Sequence, residues 1–399
     1  DSLPSDPVGV KNRKSLPLTA FALSPSGQQL AYVTNEIGRV KVFVHDVATG
    51  DRKTLFKTGF RNAFQSTDYN YPHLAWKPIG QELGIVYEKK DQIYLLEINL
   101  KTGERKRSLI PNQYYRIYSF QYLDNFNAAL SASVDGYSDL FLYRTNTRQS
   151  TRLTQDYYDD LDATAVQLDG QPGLLFASNR PEADLTPARL DTTRPTGTFD
   201  LYYLSLQIDD QGQREIVRIT HTPAADERHP VPVDSTWYSY LSNQAGVSNR
   251  AYGFLEKYVD HYEQHIYLAE GAKIVLHEDS TLQSLDSLPV DSIVQVSIYK
   301  RRGVNFNATN YPLSIVEQRV APRTGKYVEK ISIQGRERLF ISQIQPGMPP
   351  VDAPFSKFQF YEHQRLQPPP PPKPTPSPDS TGFEPLPPIE TQPPASVIP

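Results

Sequence analysis

Cysteine is absent from this sequence of 399 residues, and methionine occurs only once. Without cysteine there is neither a disulfide framework nor a thiolate metal site. Cysteine content therefore does not indicate whether the protein belongs to a reducing or an oxidising compartment. No run of about 18 apolar residues occurs, so no segment is predicted to span a membrane. The net charge of -4 is small and its signs are interspersed. We therefore expect neither a nucleic-acid partner nor attraction to an anionic bilayer.

A targeting signal is also lacking at the start of the sequence. No basic segment, apolar core or cleavage site of a leader peptide precedes Asp1, so we expect the start to be that of a mature or excised product and not a translation start. The sequence stops equally abruptly in a proline-rich stretch. We expect a piece of a longer protein.

Aromatic residues are abundant, with 25 Tyr and 17 Phe. Together with short runs of Val, Ile and Thr, they are typical of half-buried strands. A single all-β domain can exceed the usual size of a domain, so one large strand-rich domain is predicted for most of the chain.

A unit of roughly 40 residues, each with four short strands, recurs along the chain, as in the blades of a β-propeller. The four clearest units span residues 19–56, 73–110, 118–154 and 162–220. Tight turns punctuate them, for example Ser24-Pro25-Ser26-Gly27, where proline fixes one φ angle and glycine supplies a positive one. The tandem arrangement predicts a propeller.

The period blurs after the fourth unit. Residues 229–255 open a fifth unit, residues 318–344 contain half or more of a sixth, and residues 256–310 look irregular. Propellers usually need about four to eight blades to close the ring. The sequence therefore predicts six blades over residues 19–361 after a lead-in of residues 1–18, with a seventh blade as the alternative.

Proline dominates the end of the chain. Fourteen of the residues from Leu366 to Pro399 are proline. Such a segment forms neither a β-ladder nor a helix, and it has too few large apolar side chains to offset the entropy that a chain loses on folding. Residues 362–399 are predicted to be a disordered linker or tail.

Several segments carry a resemblance to a known family. SPSGQQLAYV, followed by VFVHDVATGDRKTL, is similar to the repeat of TolB-like propellers, and residues 320–331 echo it. LLFASNRPEADL and the later GTFDLYYLSL resemble the SNRP and FDLYY hallmarks of propellers in large cell-envelope proteins of the Bacteroidota type. The resemblance covers residues 19–344 except the irregular region.

This resemblance implies a non-catalytic protein-binding scaffold in the periplasm or in an outer-membrane-associated assembly. Its partners would be cell-envelope proteins, outer-membrane proteins among them. Two alternatives remain open: a propeller hydrolase or lyase with catalytic groups in its central channel, and the recognition domain of a peptidase whose catalytic part lies elsewhere in the parent chain.

Catalytic motifs do not favour those alternatives. The sequence contains no G-x-S-x-G nucleophile elbow, no phosphate-binding G-x-x-x-x-G-K-[ST] loop and no sialidase-type Asp box. We therefore expect no enzyme activity and no cofactor.

One short segment has the letters of a metal site. In a strand, His261, Glu263 and His265 share one face, as a site of two histidines and one carboxylate requires. The same letters arise from polar alternation on an exposed strand, and the H-E-x-x-H pattern is absent. No metal is expected, and these three residues are the weak candidate.

An acidic cluster with two tyrosines is a candidate binding site. Tyr157, Tyr158, Asp159 and Asp160 lie between Asp156 and Asp162, directly before a predicted innermost strand, where they would face the mouth of the central channel. Ca²⁺ or a basic peptide could bind there. The alternative is a solvated connection between blades, which the lack of EF-hand ligand spacing favours.

A polar insertion interrupts the fourth unit between Pro181 and Thr198. It carries the charged residues Glu182, Asp184, Arg189, Asp191 and Arg194. Blade strands pack against their neighbours, so recognition is left to the connections, and this insertion is too polar to be buried and too long for a simple hairpin. It is predicted to be the main partner contact, with a tolerated insertion as the alternative.

Overall fold

Twenty-four β-strands account for the regular structure in the computed structural model, which describes residues 3–4, 7–10, 12, 14–59, 68–111, 113–185, 197–209, 211–277, 289–321 and 323–343. The predicted proline-rich tail and most of the insertion lie outside these residues. None of the described residues belongs to a helix long and apolar enough to cross a membrane.

The first three blades are regular four-stranded antiparallel sheets. Their strands are β1 (Leu18–Leu23), β2 (Gln29–Glu36), β3 (Arg39–Asp46), β4 (Arg52–Lys57), β5 (His73–Trp76), β6 (Glu82–Lys89), β7 (Gln92–Asn99), β8 (Arg105–Leu109), β9 (Arg116–Tyr122), β10 (Asn127–Val134), β11 (Tyr137–Arg144) and β12 (Gln149–Arg152). The predicted turn between β1 and β2 has a positive φ at Gly27, where a side chain would be strained.

Of the other three blades, the fourth also has four strands, and the fifth and sixth differ from it in their outer strands. Their strands are β13 (Asp160–Leu168), β14 (Gln171–Ser178), β15 (Asp200–Ser205), β16 (Ile216–Arg218), β17 (Glu227–Pro232), β18 (Trp237–Ser242), β19 (Asn249–Leu268), β20 (Lys273–His277), β21 (Val290–Asn307), β22 (Ile315–Ala321), β23 (Lys326–Ile333) and β24 (Arg336–Gln343). Blade 4 is regular, blade 5 contains β17 to β21, and blade 6 contains β22 to β24.

The innermost strands form a closed ring. Strand β1 contacts β5, β5 contacts β9, β9 contacts β13, β13 contacts β17, β17 contacts β22, and β22 contacts β1 again. The described residues therefore form a six-bladed β-propeller, and the predicted fold class and blade number are confirmed.

The N-terminal lead-in contributes to the sixth blade. Pro7 bridges Phe340 of β24, and the Val8 amide donates to the Leu339 carbonyl at 2.7 Å. Val8 also packs against the apolar cluster between blades 6 and 1. The start of the described chain thereby adds an outer edge to a blade that otherwise has three strands.

The core consists of apolar layers between neighbouring blades. Between blades 1 and 2, for example, Val33 and Val42 pack with Trp76 and Ile85, and the Trp76 indole donates to the Ala22 carbonyl at 3.1 Å. Such layers explain why the inner strands of each blade are nearly continuous in apolar residues.

The region predicted to be irregular, residues 256–310, is regular over its described part. Strand β19 continues far beyond its pairing with β18, which ends at Trp237 opposite Phe254. Strand β21 pairs with β19 along almost its whole length, from Ala251 opposite Asn307 to Leu268 opposite Val290. The repeat is lost in the sequence because the outer hairpin of blade 5 is greatly lengthened, while the blade itself is intact.

Candidate functional site

A polar channel runs along the axis of the propeller. It encloses a cavity of about 370 Å³ lined by residues of all six innermost strands. Tyr69, which precedes β5, lies at one end, and Pro25 and Pro78, which follow β1 and β5, lie at the other. We call the end at which the innermost strands begin the mouth rim, and the end at which they finish the opposite rim.

Five of the six innermost strands, all except β5, have a register shift near the channel entrance, and those of β13 and β17 contain residues with a positive φ. The register shifts between Leu161 and Thr164 in β13 and between Arg228 and Val231 in β17. Within these bulges Asp162 and His229 have φ angles of 57° and 53°. A left-handed conformation costs a residue other than glycine roughly 1–3 kcal/mol, and such strain clusters at ligand sites.

The two bulges are bonded to each other across neighbouring blades. The Asp162 carboxylate accepts from Arg228 Nε at 2.6 Å and from the His229 amide at 3.1 Å. Burial acts to raise the pKa of Asp162, but the attraction of His229 and Arg228 outweighs it and holds this pKa well below its usual range. Burial lowers the pKa of His229, although the negative charges of Asp162 and Glu317 act to raise it.

A second ion pair continues the wall on β22. Arg319 lies 2.8 Å from Glu317, and Lys330 lies 3.5 Å from the same carboxylate. Burial opposes ionisation of Glu317, but Arg319 and Lys330 lower its pKa overall. His73 faces the same cavity, and burial lowers its pKa to about 4. Charges of both signs therefore line the channel, and the carboxylates are held ionised.

Tyrosines mark the mouth rim on three consecutive blades. Tyr69 precedes β5 and is 53% exposed, Tyr115 directly precedes β9 and is 81% exposed, and Tyr157 and Tyr158 precede β13. All four lie on the connections that lead into innermost strands. Sequence analysis found only the pair before β13; the signal it missed is a tyrosine shortly before the first strand of the second and third units.

The acidic cluster divides into buried and rim residues. Asp159 stays at the rim, where it accepts from the Ser138 hydroxyl at 2.7 Å. Asp160 is fully buried, and Arg180 Nη2 lies 2.7 Å from its carboxylate and 3.1 Å from Asp156. Asp160 does not face the channel mouth as the sequence predicts, because its side chain is an internal partner of Arg180.

The insertion begins at the same rim. Strands β13 and β14 are antiparallel with Asp160 opposite Ser178, so the segment after β14 emerges beside the start of β13. Glu182 and Asp184 are exposed there, and the Asp184 carbonyl accepts from Arg180 at 2.8 Å. Arg189, Asp191 and Arg194 lie outside the described residues, so their predicted role stays a prediction.

The candidate metal ligands lie on the lengthened hairpin, far along the chain from the channel residues. His261, Glu263 and His265 share one face of β19, as predicted, and His265 Nε2 lies 2.9 Å from the Glu263 carboxylate. No group of three or more His, Cys, Asp or Glu side chains with a metal-binding arrangement is found among the residues that the structure describes.

Comparisons with known proteins give similarity of structure only. No family model matches the sequence, and no curated protein matches it. TolB from Acinetobacter baumannii is similar over 60% of this chain and 52% of that chain, about half its length, with 15% identity and a TM-score of 0.43.

Two further solved structures cover more of the chain. A putative TolB from Agrobacterium tumefaciens is similar over 83% of this chain and 91% of that one, with 16% identity and a TM-score of 0.44. The β-propeller domain of the Trilobed protease from Pyrococcus furiosus is similar over 84% and 83%, with 8% identity and a TM-score of 0.40. These similarities carry no function over to this chain.

Proposed function

We propose that this propeller is a non-catalytic scaffold that binds a protein partner at its mouth rim. The observation that carries the proposal is the placement of tyrosines before the innermost strands of blades 2, 3 and 4, of which Tyr69 and Tyr115 are exposed and Tyr157 and Tyr158 are half-buried. Tyrosine is enriched in protein interfaces because it supplies a large, rigid contact area at low entropic cost and a hydroxyl for hydrogen bonding. Tyr69 and Tyr115 are therefore the central contacts, with Tyr157 and Tyr158 beside them.

The rest of the rim supplies polar contacts. Asp159, Glu182 and Asp184 lie at the same rim as the tyrosines. In the channel below, the Arg228 and Arg319 guanidinium groups add donors for carboxylate or carbonyl oxygens of an entering segment. A chain segment that lies on the tyrosines and extends into the channel would use both kinds of contact.

Binding is favoured over chemistry by the state of the channel carboxylates. A general acid needs a pKa near the working pH. Asp162 and Glu317 instead have lowered pKa values, because arginines next to them stabilise the ionised forms. This electrostatic arrangement supports recognition of a partner, and the missing nucleophile and phosphate-loop motifs point the same way.

The proposed location is the periplasm or an outer-membrane assembly of the bacterial cell envelope. Its support is the resemblance of the SNRP and FDLYY segments to large envelope propellers of the Bacteroidota type. The proposed partners are accordingly other envelope proteins, including proteins of the outer membrane.

The rim can be tested with a double variant, Tyr69→Ala with Tyr115→Ala. We expect this variant to lose partners that the unchanged chain captures from an envelope fraction, measured by quantitative mass spectrometry. The matched control is Ile79→Ala with Phe126→Ala, two exposed apolar residues on connections at the opposite rim, which should retain the same partners. Equal capture by both double variants would place the binding surface elsewhere.

The same preparations test the absence of catalysis. We expect no hydrolysis of peptides or glycosides above background. Turnover that disappears in Asp162→Asn would overturn the non-catalytic assignment, because Asp162 is the carboxylate at the centre of the channel network.

A further inference from the structure

The lengthened hairpin of blade 5 is a separate surface on the other side of the molecule. Strand β18 begins at the opposite rim, and its pairing with β19 starts there at Phe254. Residues 255–268 of β19 then continue with β21, and β20 joins them near the far end. At ~3.3 Å per residue these fourteen positions extend for about 45 Å. We call residues 255–277 and 289–303 the arm.

The arm has one long free edge. Strand β20 pairs with β19 from Glu263 to Tyr267, whereas β21 pairs only with β19 among the described residues. Closer to the body, Arg301 bonds Glu215 and Gln171 of blade 4. The outer edge of β21 from Val290 to Lys300 therefore presents backbone donors and acceptors with none of the described strands beside it.

The central run of this edge lacks the devices that usually protect an exposed strand. Exposed edges are normally interrupted by charges, prolines or bulges. The run Ser292–Tyr299, of sequence SIVQVSIY, contains no charge, proline or glycine, and its pairing with β19 places no bulge within the run; the bulge in β21 lies just before it, at Asp291. The stretch of β19 left uncovered by β18 and β20 shows the contrast, because it carries Glu256, Lys257 and Asp260.

Exposed apolar side chains accompany the free backbone. Ile293, Val294 and Tyr299 are all among the exposed large hydrophobic residues, and Val294 is 46% exposed. Even-numbered residues Val294, Val296 and Ile298 point to one face of the arm, and Ile293 and Tyr299 point to the other. The run thus has the composition of segments that associate strand to strand.

We propose that β21 pairs antiparallel with the β21 edge of a second copy of this chain. The charged residues at the two ends of the run favour a second copy of the chain as the partner. Asp291 lies at the far end, and Lys300 and Arg302 lie at the near end with largely exposed side chains. Antiparallel pairing brings the acidic end of each run to the basic end of the other, whereas parallel pairing would set like charges side by side.

The faces of the sheet fit the same arrangement. A twofold axis between antiparallel strands is normal to the sheet and keeps each face on its own side. The row Val294, Val296 and Ile298 of one copy therefore continues into the same row of the other. The two arms form one continuous sheet, with the propeller bodies at its two ends and both mouth rims left open.

The principal test is sedimentation of the full chain over a concentration series. The unchanged chain is expected to show a reversible monomer-dimer equilibrium. Val294→Lys should weaken it by roughly tenfold or more, because each copy then inserts a lysine into the uncharged run of the other. A sedimentation coefficient that stays monomeric at every concentration overturns the proposal.

A matched variant distinguishes contact through the edge of β21 from contact through the face of the sheet. Val275 of β20 and Val294 of β21 are both register partners of His265, and they are 44% and 46% exposed. Val275→Lys should leave the dimer intact, since β20 lies on the other side of β19. Equal loss of the dimer in both variants would mean contact through the face, and retention in both would mean contact elsewhere; either result overturns edge pairing.

Because the chain has no cysteine, single cysteines can test directly which β21 residues face each other in the dimer. This test remains valid even if the Val294→Lys variant fails to fold. Single cysteines at Gln295, Val296 or Ser297 lie near the centre of the run, where a residue on a twofold axis faces its own copy. We expect a disulfide-linked dimer on oxidation for at least one of these variants and none for Lys273→Cys on β20. Equal cross-linking at Lys273→Cys would overturn the proposal.

Discussion

Arg180→Met is expected to lower the free energy of unfolding by about 3–5 kcal/mol, the usual cost of removing one partner from a buried ion pair. The Arg180 side chain is fully buried, and its Nη2 atom lies within 3.1 Å of both Asp156 and Asp160. Removing it leaves two carboxylates close together in the interior without a cation. Urea unfolding followed by fluorescence measures the change.

Two variants calibrate this result. Arg302→Met removes an arginine that is 62% exposed and paired with Glu256, so it should cost less than about 1 kcal/mol. Adding Asp156→Asn and Asp160→Asn to Arg180→Met removes the unpaired charges and should restore part of the lost stability. An Arg180→Met protein as stable as the Arg302→Met protein would contradict the structural role of this arginine.

The role of Arg180 explains what the SNRP segment does in this chain. Arg180 Nη1 donates to the Asp184 carbonyl at 2.8 Å, and the Tyr202 hydroxyl donates to the Arg180 carbonyl at 2.6 Å. Arg180 thereby ties the start of the insertion to β15 and to the connection before β13. A segment quoted for its resemblance to other propellers is, in physical terms, the brace of the mouth rim on blade 4.

The sequence predicts those blades whose strands are joined by recognisable turns. Units 1 to 3 have short connections within each blade, so four strands recur at a nearly constant period, and unit 4 keeps recognisable strands on both sides of its insertion. In blade 5 the long hairpin between β19 and β21 removes the period without disturbing the blade. In blade 6 the outer edge comes from Pro7 and Val8, more than 300 residues away, and no local pattern encodes that pairing.

The candidate site was predicted less completely, for a reason that lies in the backbone. Strand alternation assigns Asp160 and Asp162 to the same face. The bulge at Asp162 breaks that alternation, so Asp160 turns inward to Arg180 while Asp162 lines the channel. A shift of one residue reverses the face, and its position depends on contacts with Arg228 and His229 on the next blade, which the sequence of β13 does not contain.

Two residues with strained backbone angles, Asp162 and His229, connect blades 4 and 5 at the channel. Asp162 and His229 hold unusual φ angles in neighbouring blades, and both are bonded within one network. That network shapes the channel directly below the exposed tyrosines. Rigid polar walls under an aromatic rim form a surface that needs little ordering on binding, which favours recognition of a partner segment.

Glu227→Gln is expected to remove a loss of stability that the unchanged protein shows as pH rises. Glu227 is buried between blades 4 and 5, where it accepts from the Ser242 hydroxyl at 3.2 Å. Burial raises its pKa far above the usual 4.5, and the neighbouring negative charge of Asp200 raises it further. The folded protein therefore keeps a proton that the unfolded chain releases.

The sign of the pH dependence follows from this difference in bound protons. Above about pH 4.5 the folded state binds more protons than the unfolded state, so the stability contributed by protonated Glu227 falls as pH rises. The glutamine variant should gain up to about 1.4 kcal/mol per pH unit relative to the unchanged protein. Urea unfolding at several values from about pH 5 to about pH 8 gives the difference curve.

Glu256→Gln is the matched control for the same curve, because it makes the same substitution on the exposed arm, away from the interface between blades 4 and 5. Other groups titrate in both proteins and cancel in the difference. A difference curve for Glu227→Gln that is flat, or that falls with pH, would mean that Glu227 is ionised in the folded state. The carboxylates of Glu227 and Asp200 would then both be charged between the blades. Arg218 pairs with Asp200, but none of the described residues forms an ion pair with Glu227, so a second cation would be needed there.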